Sequence, residues 1–251
     1  MSGVVCFKNN LGNSHIVGQV SDMRRATPSE IKLMPAYPLT EAARYLHAKP
    51  STLHAWLHGR AYRVGQERRW SKAVLASDRS KGEPLSFLDL VEAHVLLSIR
   101  NGYGIPLKRF RTAMEYLREV GGDLHFLAHR DFYHDRRDLF VKLDDKLVSL
   151  SERGQLVDKE IIAEGLKQLV YGNDGYATRF FPRRGSERQE SIVLDPAINF
   201  GHPCLVRIGV GVEAISTRFM TGEKITDLAA DYGATADEIE EAIRWHECLA
   251  A

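Results

Sequence analysis

The sequence predicts an α+β protein with a winged helix-turn-helix head, a mixed α/β middle, and a C-terminal β-hairpin followed by a three-helix, helix-turn-helix-like module. Three observations lead there. Apolar residues recur at helical spacing between residues 37 and 120 and again between 212 and 247, with short β-rich runs and turn dipeptides between these stretches. The charge is divided: from 37 to 80 eight basic residues face three acidic ones, whereas from 192 to 251 ten acidic residues outweigh four basic ones. The total is only +1, so the two ends suit different partners, and a polyanion suits the first. Finally, 44% apolar and 27% charged residues describe an ordinary globular chain, long enough at 251 residues for two modest domains or one large one.

Residues 1–36 mix Gly, Asn and Ser without sustained period and read as a poorly ordered leader, with at most one short element near Glu30 to Met34. From Tyr37 the pattern sharpens into the head, 37–122. Thr40 is the expected N-cap of a short helix with Ala42, Ala43 and Leu46 inward. A tight break at His47 to Lys49 leads to Pro50, whose missing N–H suits the first position of a second helix. Leu53, Trp56 and Leu57 form its buried face, which turns Ser51, Thr52, His54 and His58 outward. Arg60 follows, and the next residues read as a two-stranded wing carrying Arg63, Arg68, Arg69 and Lys72. Side chains of these types can reach base edges and phosphates, so these nine residues are the candidate DNA contacts. The plainer alternative is an αα-hairpin followed by a solvated basic hairpin, and the joint occurrence of turn, polar second helix and basic wing favours DNA. The order of elements resembles the MerR-like variety of helix-turn-helix, with Lys49 where a small polar cap often precedes the proline.

Two further helices complete the head. Leu88, Val91, Val95, Leu96 and Ile99 form an apolar stripe ended by Gly102 and Gly104; Pro106 opens the next, with Phe110, Met114 and Leu117 inward and Lys108, Arg109 and Arg111 outward. Residues 123–182 are the mixed middle, expected to connect and dimerise. They should contain a hairpin around Asp144-Asp145-Lys146, a helix through Ile161, Ile162, Leu166, Leu169 and Val170, and a strand from Ala177 to Phe181. Residues 183–190 are polar enough for a linker.

The C-terminal module, 191–251, begins with β-rich runs at Ile192 to Leu194 and Leu205 to Val212, broken by Asp195-Pro196 and Gly201-His202-Pro203. Val212, Ile215 and Phe219 mark a helix closed by Gly222; Ile225, Leu228 and Ala229 mark a second, stopped at Tyr232-Gly233. Thr235 with Glu238 forms a capping box for a third, whose inward face is Ile239, Ala242 and Ile243.

These motifs resemble the C-terminal module of VapB-like type II antitoxins, which starts I-x-x-D-P, passes through G-x-P, and ends around D-L-A-x-D-Y-G. The matching residues are Ile192, Asp195, Pro196, Gly201, Pro203, Phe219, Gly222, Asp227 to Ala229, Asp231 to Gly233, and Ile243. Many members read G-T-R-I after the G-x-P turn, where this chain has Arg207-Ile208-Gly209-Val210. The resemblance implies an antitoxin that inhibits a PIN-like ribonuclease toxin, binds operator DNA to repress its own promoter, and forms a homodimer or a hetero-oligomer with the toxin. Phe200, His202, Arg207, Arg218 and Trp245 are the candidate toxin contacts. The alternative is a stand-alone MerR-like regulator whose C-terminal module dimerises or binds a ligand.

Enzyme chemistry is not expected. No Walker loop, G-x-S-x-G elbow or nucleophile with an obvious base occurs. His125, His129 and His134 with Asp131 and Asp135 fit no standard zinc spacing, so neither metal nor cofactor is expected. Three cysteines without metal spacing, no secretion signal and no long apolar run point to the cytoplasm.

Overall fold

The first described element is held by a capping box: Thr27 accepts from the Glu30 N–H at 3.3 Å, and Glu30 accepts from the Thr27 N–H at 2.7 Å. It starts a single turn, α1 (Pro28–Ile31). The structure, a computed structural model, describes residues 27–75, 80–103, 107–108, 111, 114–115, 124–130, 167–182 and 191–250. Immediately after α1, Lys32 is buried and pairs with Asp174 at 2.8 Å. The end of the stretch expected as a leader is therefore tied to the middle of the chain.

Two helices follow, α2 (Leu39–Tyr45) and α3 (Pro50–His58). Thr40, the expected cap, lies inside α2. The Pro38 carbonyl already accepts from the Glu41 and Ala42 N–H groups at 2.9 Å, so the helix begins before Thr40 can cap it. Between the helices His47 takes φ +50°, a left-handed conformation that turns the chain sharply. Pro50 opens α3 as expected, and Leu53, Trp56 and Leu57 are buried.

The polypeptide leaves α3 through Gly59 at φ +73°, where an added Cβ would lie 2.4 Å from the Ser71 carbonyl oxygen. Only glycine fits that close approach between helix end and strand. Strands β1 (Arg60–Val64) and β2 (Glu67–Ser71) then pair antiparallel around Gly65 and Gln66. Reciprocal Ser86–Asp89 hydrogen bonds of 2.8 and 3.1 Å open the long helix α4 (Phe87–Tyr103), whose expected apolar stripe is buried. Leu107, Lys108, Arg111, Met114 and Glu115 are helical, with Met114 inward; Phe110, Leu117 and Arg109 lie outside the described residues.

Much of the middle, including the expected hairpin at 144–146 and the linker 183–190, lies outside the described residues. What is described departs from expectation at one place. Leu169 and Val170 are strand, not helix: β3 (Leu169–Tyr171) pairs antiparallel with β4 (Ala177–Phe180) across a turn containing Gly175 at φ +83°. The adjacent pair Leu169-Val170 fits either periodicity, and the cross-strand partner Phe180 decides in favour of the strand.

β4 continues the sheet contacts into the C-terminal module through an isolated bridge between Phe180 and Leu194. There, β5 (Ile192–Val193) pairs antiparallel with β6 (Cys204–Leu205). The second run was expected to remain extended to Val212. Instead it turns after Leu205, with Gly209 at φ +68° and its N–H on the Leu205 carbonyl at 2.7 Å. Helices α5 (Val212–Met220), α6 (Ile225–Tyr232) and α7 (Ala236–Ala250) complete the module. Gly233, left-handed at φ +64°, ends α6, and Thr235 with Glu238 caps α7 as expected.

One continuous apolar core runs from α2 and α3 through α4 to β5, α5 and α7. Among the described residues no helix is long and apolar enough to cross a membrane.

Candidate nucleic-acid interface and the adjoining module

α3 buries Leu53, Trp56 and Leu57, and helical periodicity therefore turns its polar residues outward. Ser51 and His54 are exposed, and Thr52 and His58 are half-buried. The two imidazoles stand edge to face with ring centres 5.0 Å apart. Burial, aided by the neighbouring His54 and Lys81, holds His58 below its ordinary pKa. At neutral pH its ring is uncharged, able to donate from one nitrogen and accept at the other.

The β1–β2 hairpin stands away from the body. Every residue from Arg60 to Trp70 is exposed, and Ser71 is half-buried. Arg60, Arg63, Arg68, Arg69 and the exposed Lys72 are thus brought onto one protruding element beside the end of α3. Arg69 pairs with Glu67 at 2.9 Å and Lys72 with Glu115 at 3.5 Å; both contacts are solvent-exposed and easily exchanged for another anion. Two features escaped the sequence reading. Trp70 is 57% exposed and Tyr62 is 42% exposed, on a ribbon that buries neither. A signal existed: Trp70 directly follows Arg68-Arg69 in a hairpin whose alternation provides no apolar face.

The C-terminal module docks against the first helix of the pair. Tyr37, fully buried, donates its hydroxyl to the Gly201 carbonyl at 2.9 Å. Trp245 on α7 stacks on Tyr45 of α2, ring centres 5.6 Å apart and 30° between planes. His202 Nδ1 lies 3.1 Å from Glu41 Oε1, the same carboxylate oxygen that accepts from the Tyr45 hydroxyl. Burial pushes the Glu41 carboxyl up, but the bonds from His202 and Tyr45 more than offset it, so its pKa is lowered. The hydrogen bond to Glu41 conversely raises His202 against the effect of burial.

This joint redistributes the residues expected at a toxin surface. Trp245 is 4% exposed and faces Tyr45, so it is interior rather than surface. Arg207 binds Glu238 at 2.7 Å and the Gly233 carbonyl at 2.7 Å, clasping the α6–α7 turn. That bond, with the Thr235 N–H, holds Glu238 down to about 2. Arg218 pairs with Glu223 and with Asp231 at 2.6 Å, its guanidinium 5.0 Å from the Tyr232 ring centre. Phe200 alone of the five presents an unpaired apolar face; it is 47% exposed on a backbone of φ +55°. Left-handed backbone at a bulky residue is strained and needs surrounding structure to hold it. The adjoining Gly201 carbonyl accepts from the buried Tyr37 hydroxyl.

Among the described residues, Asp89, Glu92 and His125 are buried with ligand atoms within 4.8 Å of one another, a spacing that could hold a metal ion. Each already has a local role. Asp89 caps α4, and the Glu92 carboxylate faces His125 Nδ1 at 3.1 Å and accepts from the Leu127 N–H at 3.3 Å. Burial raises Glu92 to about 7, and His125 opposes that rise. His129 packs instead on Tyr176, ring centres 4.8 Å apart, and Asp131, His134 and Asp135 lie outside the described residues.

Comparison with known proteins gives two family matches in the chain. Residues 35–114 match the family described as "Putative DNA-binding HTH domain", and residues 192–245 match "Protein of unknown function (DUF433)". The chain is 29% identical over 233 residues to a Mycobacterium tuberculosis (strain ATCC 25618 / H37Rv) protein named "Putative antitoxin VapB45", covering 84% of this chain and 93% of that one. It is also similar to the X-ray crystal structure of Rv2018 from Mycobacterium tuberculosis, with a TM-score of 0.63 at 26% identity, over 84% of this chain and 98% of the other. The chain is thus similar over most of its length to a protein named as a putative antitoxin, and it matches a putative DNA-binding helix-turn-helix domain in its first half and DUF433 at its end.

Proposed function

We propose that this protein is the antitoxin of a toxin–antitoxin pair: its head binds operator DNA and its C-terminal module inhibits a PIN-like ribonuclease. The observation that carries the DNA reading is the exposed basic hairpin set directly after α3, in a chain whose net charge is only +1. In this reading α3 enters the major groove with Ser51, Thr52, His54 and His58, and the hairpin acts as the wing of a MerR-like head. Phosphate contacts are drawn from the basic set Arg60, Arg63, Arg68, Arg69 and Lys72. A half-site reader of this kind works as a pair, so the protein acts as a homodimer or within a toxin hetero-oligomer, in the cytoplasm.

The inhibitory surface is assigned to the outer side of the C-terminal module. Phe200 and the 80% exposed Met220 supply apolar contact there, and the exposed Asp237, Glu240 and Glu247 supply negative charge for a basic RNA groove. Arg207 and Arg218 support that surface by bracing its turns, and Trp245 and His202 hold the module to the head. The protein itself does no chemistry in this account; bound toxin and antitoxin together repress their promoter.

The docking of Trp245 on Tyr45 also favours a second reading, a stand-alone regulator whose C-terminal module serves the head rather than a toxin. Co-expression with the neighbouring reading frame, followed by size exclusion and a ribonuclease assay, separates the two. The antitoxin reading expects a co-eluting complex that is silent until Phe200 and Met220 are replaced by Asp. Separate elution, with no effect on a neighbouring ribonuclease, leaves the stand-alone regulator. For DNA, retention on the upstream duplex should weaken steeply with salt, because bound arginines displace counterions from phosphates.

A further inference from the structure

The β1–β2 hairpin has two chemically different faces. Its register pairs Arg60 with Ser71, Ala61 with Trp70, Tyr62 with Arg69, Arg63 with Arg68 and Val64 with Glu67. Directly opposed residues share a face, and successive residues alternate. One face therefore carries Ala61, Arg63, Arg68 and Trp70; the other carries Arg60, Tyr62, Val64, Glu67, Arg69 and Ser71.

The second face is partly neutralised, since Glu67 holds Arg69 through two hydrogen bonds of 2.9 and 3.2 Å. The first has no acid at all. Arg63 and Arg68 stand directly opposite each other, an arrangement that destabilises a two-stranded ribbon because like charges repel across the ladder. Such a ribbon is marginal in water even without that repulsion. On the same face Trp70 is 57% exposed, and its cross-strand partner Ala61 is too small to cover the indole. Two opposed guanidiniums beside an open aromatic ring complement a surface that alternates anionic and apolar groups. The phosphates and deoxyribose rings of a DNA strand form such a surface, and the sugars lining the minor groove offer apolar contact beside the base edges.

We propose that the face Ala61–Arg63–Arg68–Trp70 is the one that lies on duplex DNA, with Arg63 and Arg68 on phosphates and Trp70 packed against sugar and the minor-groove edge. The face bearing Tyr62 and the Glu67–Arg69 pair points away from the duplex. This rests on the reading that the head binds DNA, and it assigns to Trp70 a contact role as anchor that its basic neighbours cannot fill.

The chain has three tryptophans, and Trp56 and Trp245 are 2% and 4% exposed, so quenching by acrylamide reports mainly on Trp70. The test uses the full chain with tiled duplexes of about 30 base pairs from upstream of its gene, a length spanning two half-sites. Expected results are loss of acrylamide access to Trp70 on saturation with DNA, and roughly tenfold weaker binding for Trp70→Ala. Arg63→Gln and Arg68→Gln should each lower the log–log salt slope by about 0.9 per protomer bound, while Arg69→Gln leaves it unchanged. If DNA binds but Trp70 stays open to acrylamide, or Arg69→Gln costs as much as Arg68→Gln, the face assignment is overturned and DNA binding stands. If no duplex is retained even at low salt, the DNA reading itself fails and takes the assignment with it. Circular dichroism and thermal melts of each variant check that the fold is kept, as the exposed positions of these side chains lead one to expect.

Discussion

Replacing Trp245 with alanine removes an indole that is 4% exposed and stacked on Tyr45 with ring centres 5.6 Å apart. A buried tryptophan withdraws about 200–250 Å² from water, worth about 5–6 kcal/mol at about 25 cal/mol per Å². The methyl group retained by alanine and the partial collapse of unfolded chains reduce this, and measured large-to-small replacements give about 3–5 kcal/mol. For a chain of this size each kcal/mol lowers the melting temperature by about 2–4 °C, so Trp245→Ala should melt about 6–20 °C below the parent. Trp245→Phe keeps an aromatic ring against Tyr45 and should lose much less. Urea and thermal denaturation, followed by circular dichroism, measure both. A loss below about 1 kcal/mol for Trp245→Ala, which is the range of surface substitutions, would refute an interior Trp245. It would return the residue to the solvent-facing toxin surface. A large loss with toxin binding retained by Trp245→Phe would show that the tryptophan acts through the joint.

Three further outcomes follow from the same geometry. The Glu41–His202 contact should strengthen docking of the module only within a pH window. The His202 pKa is raised, so its contribution is full below the ordinary value of 6.5 and is lost as pH rises through the folded value; Glu41 is lowered, so its contribution is lost as pH falls through its own folded value, below 4.5. Tyr37, Tyr45, Glu213 and Arg44 share that environment, and melts from pH 4 to 9 should lose their alkaline limb in His202→Ala; an unchanged limb counts against the pair. Gly59→Ala must place a Cβ 2.4 Å from a backbone oxygen at φ +73°, and should cost at least about 1–3 kcal/mol and weaken DNA retention by displacing the hairpin from α3; retention equal to wild type would contradict the proposed geometry. Thr235→Ala should cost about 1 kcal/mol by uncapping α7, measured by denaturation, and hydrogen exchange should show fraying confined to the first turn of that helix.

Elements with a strong local cause were legible in the sequence. Pro50, the Leu53–Trp56–Leu57 spacing, the Thr235–Glu238 box and the Gly233 stop each act within a few residues, and each appears where those rules place it. The basic hairpin was legible for the same reason, since Gly65 turns a strand pair that needs no distant partner. The exposure of Trp70 was only half legible: its place in the strand could be read, but not that nothing covers it. Where two periodicities overlap, as at Leu169-Val170, the long-range partner made the decision.

By itself, then, the sequence determined the helical pair of the head, the three C-terminal helices, the division of charge, and the outward set on α3, because these depend on backbone periodicity and on neighbours a turn away. Only the tertiary structure decided that α7 lies on α2. Tyr45 and Trp245 are separated by most of the chain, and an aromatic on an amphipathic helix looks the same whether it meets a partner protein or its own head. The choice depends on which apolar surface is nearest once the core has closed, a property of the packed molecule that no local pattern encodes.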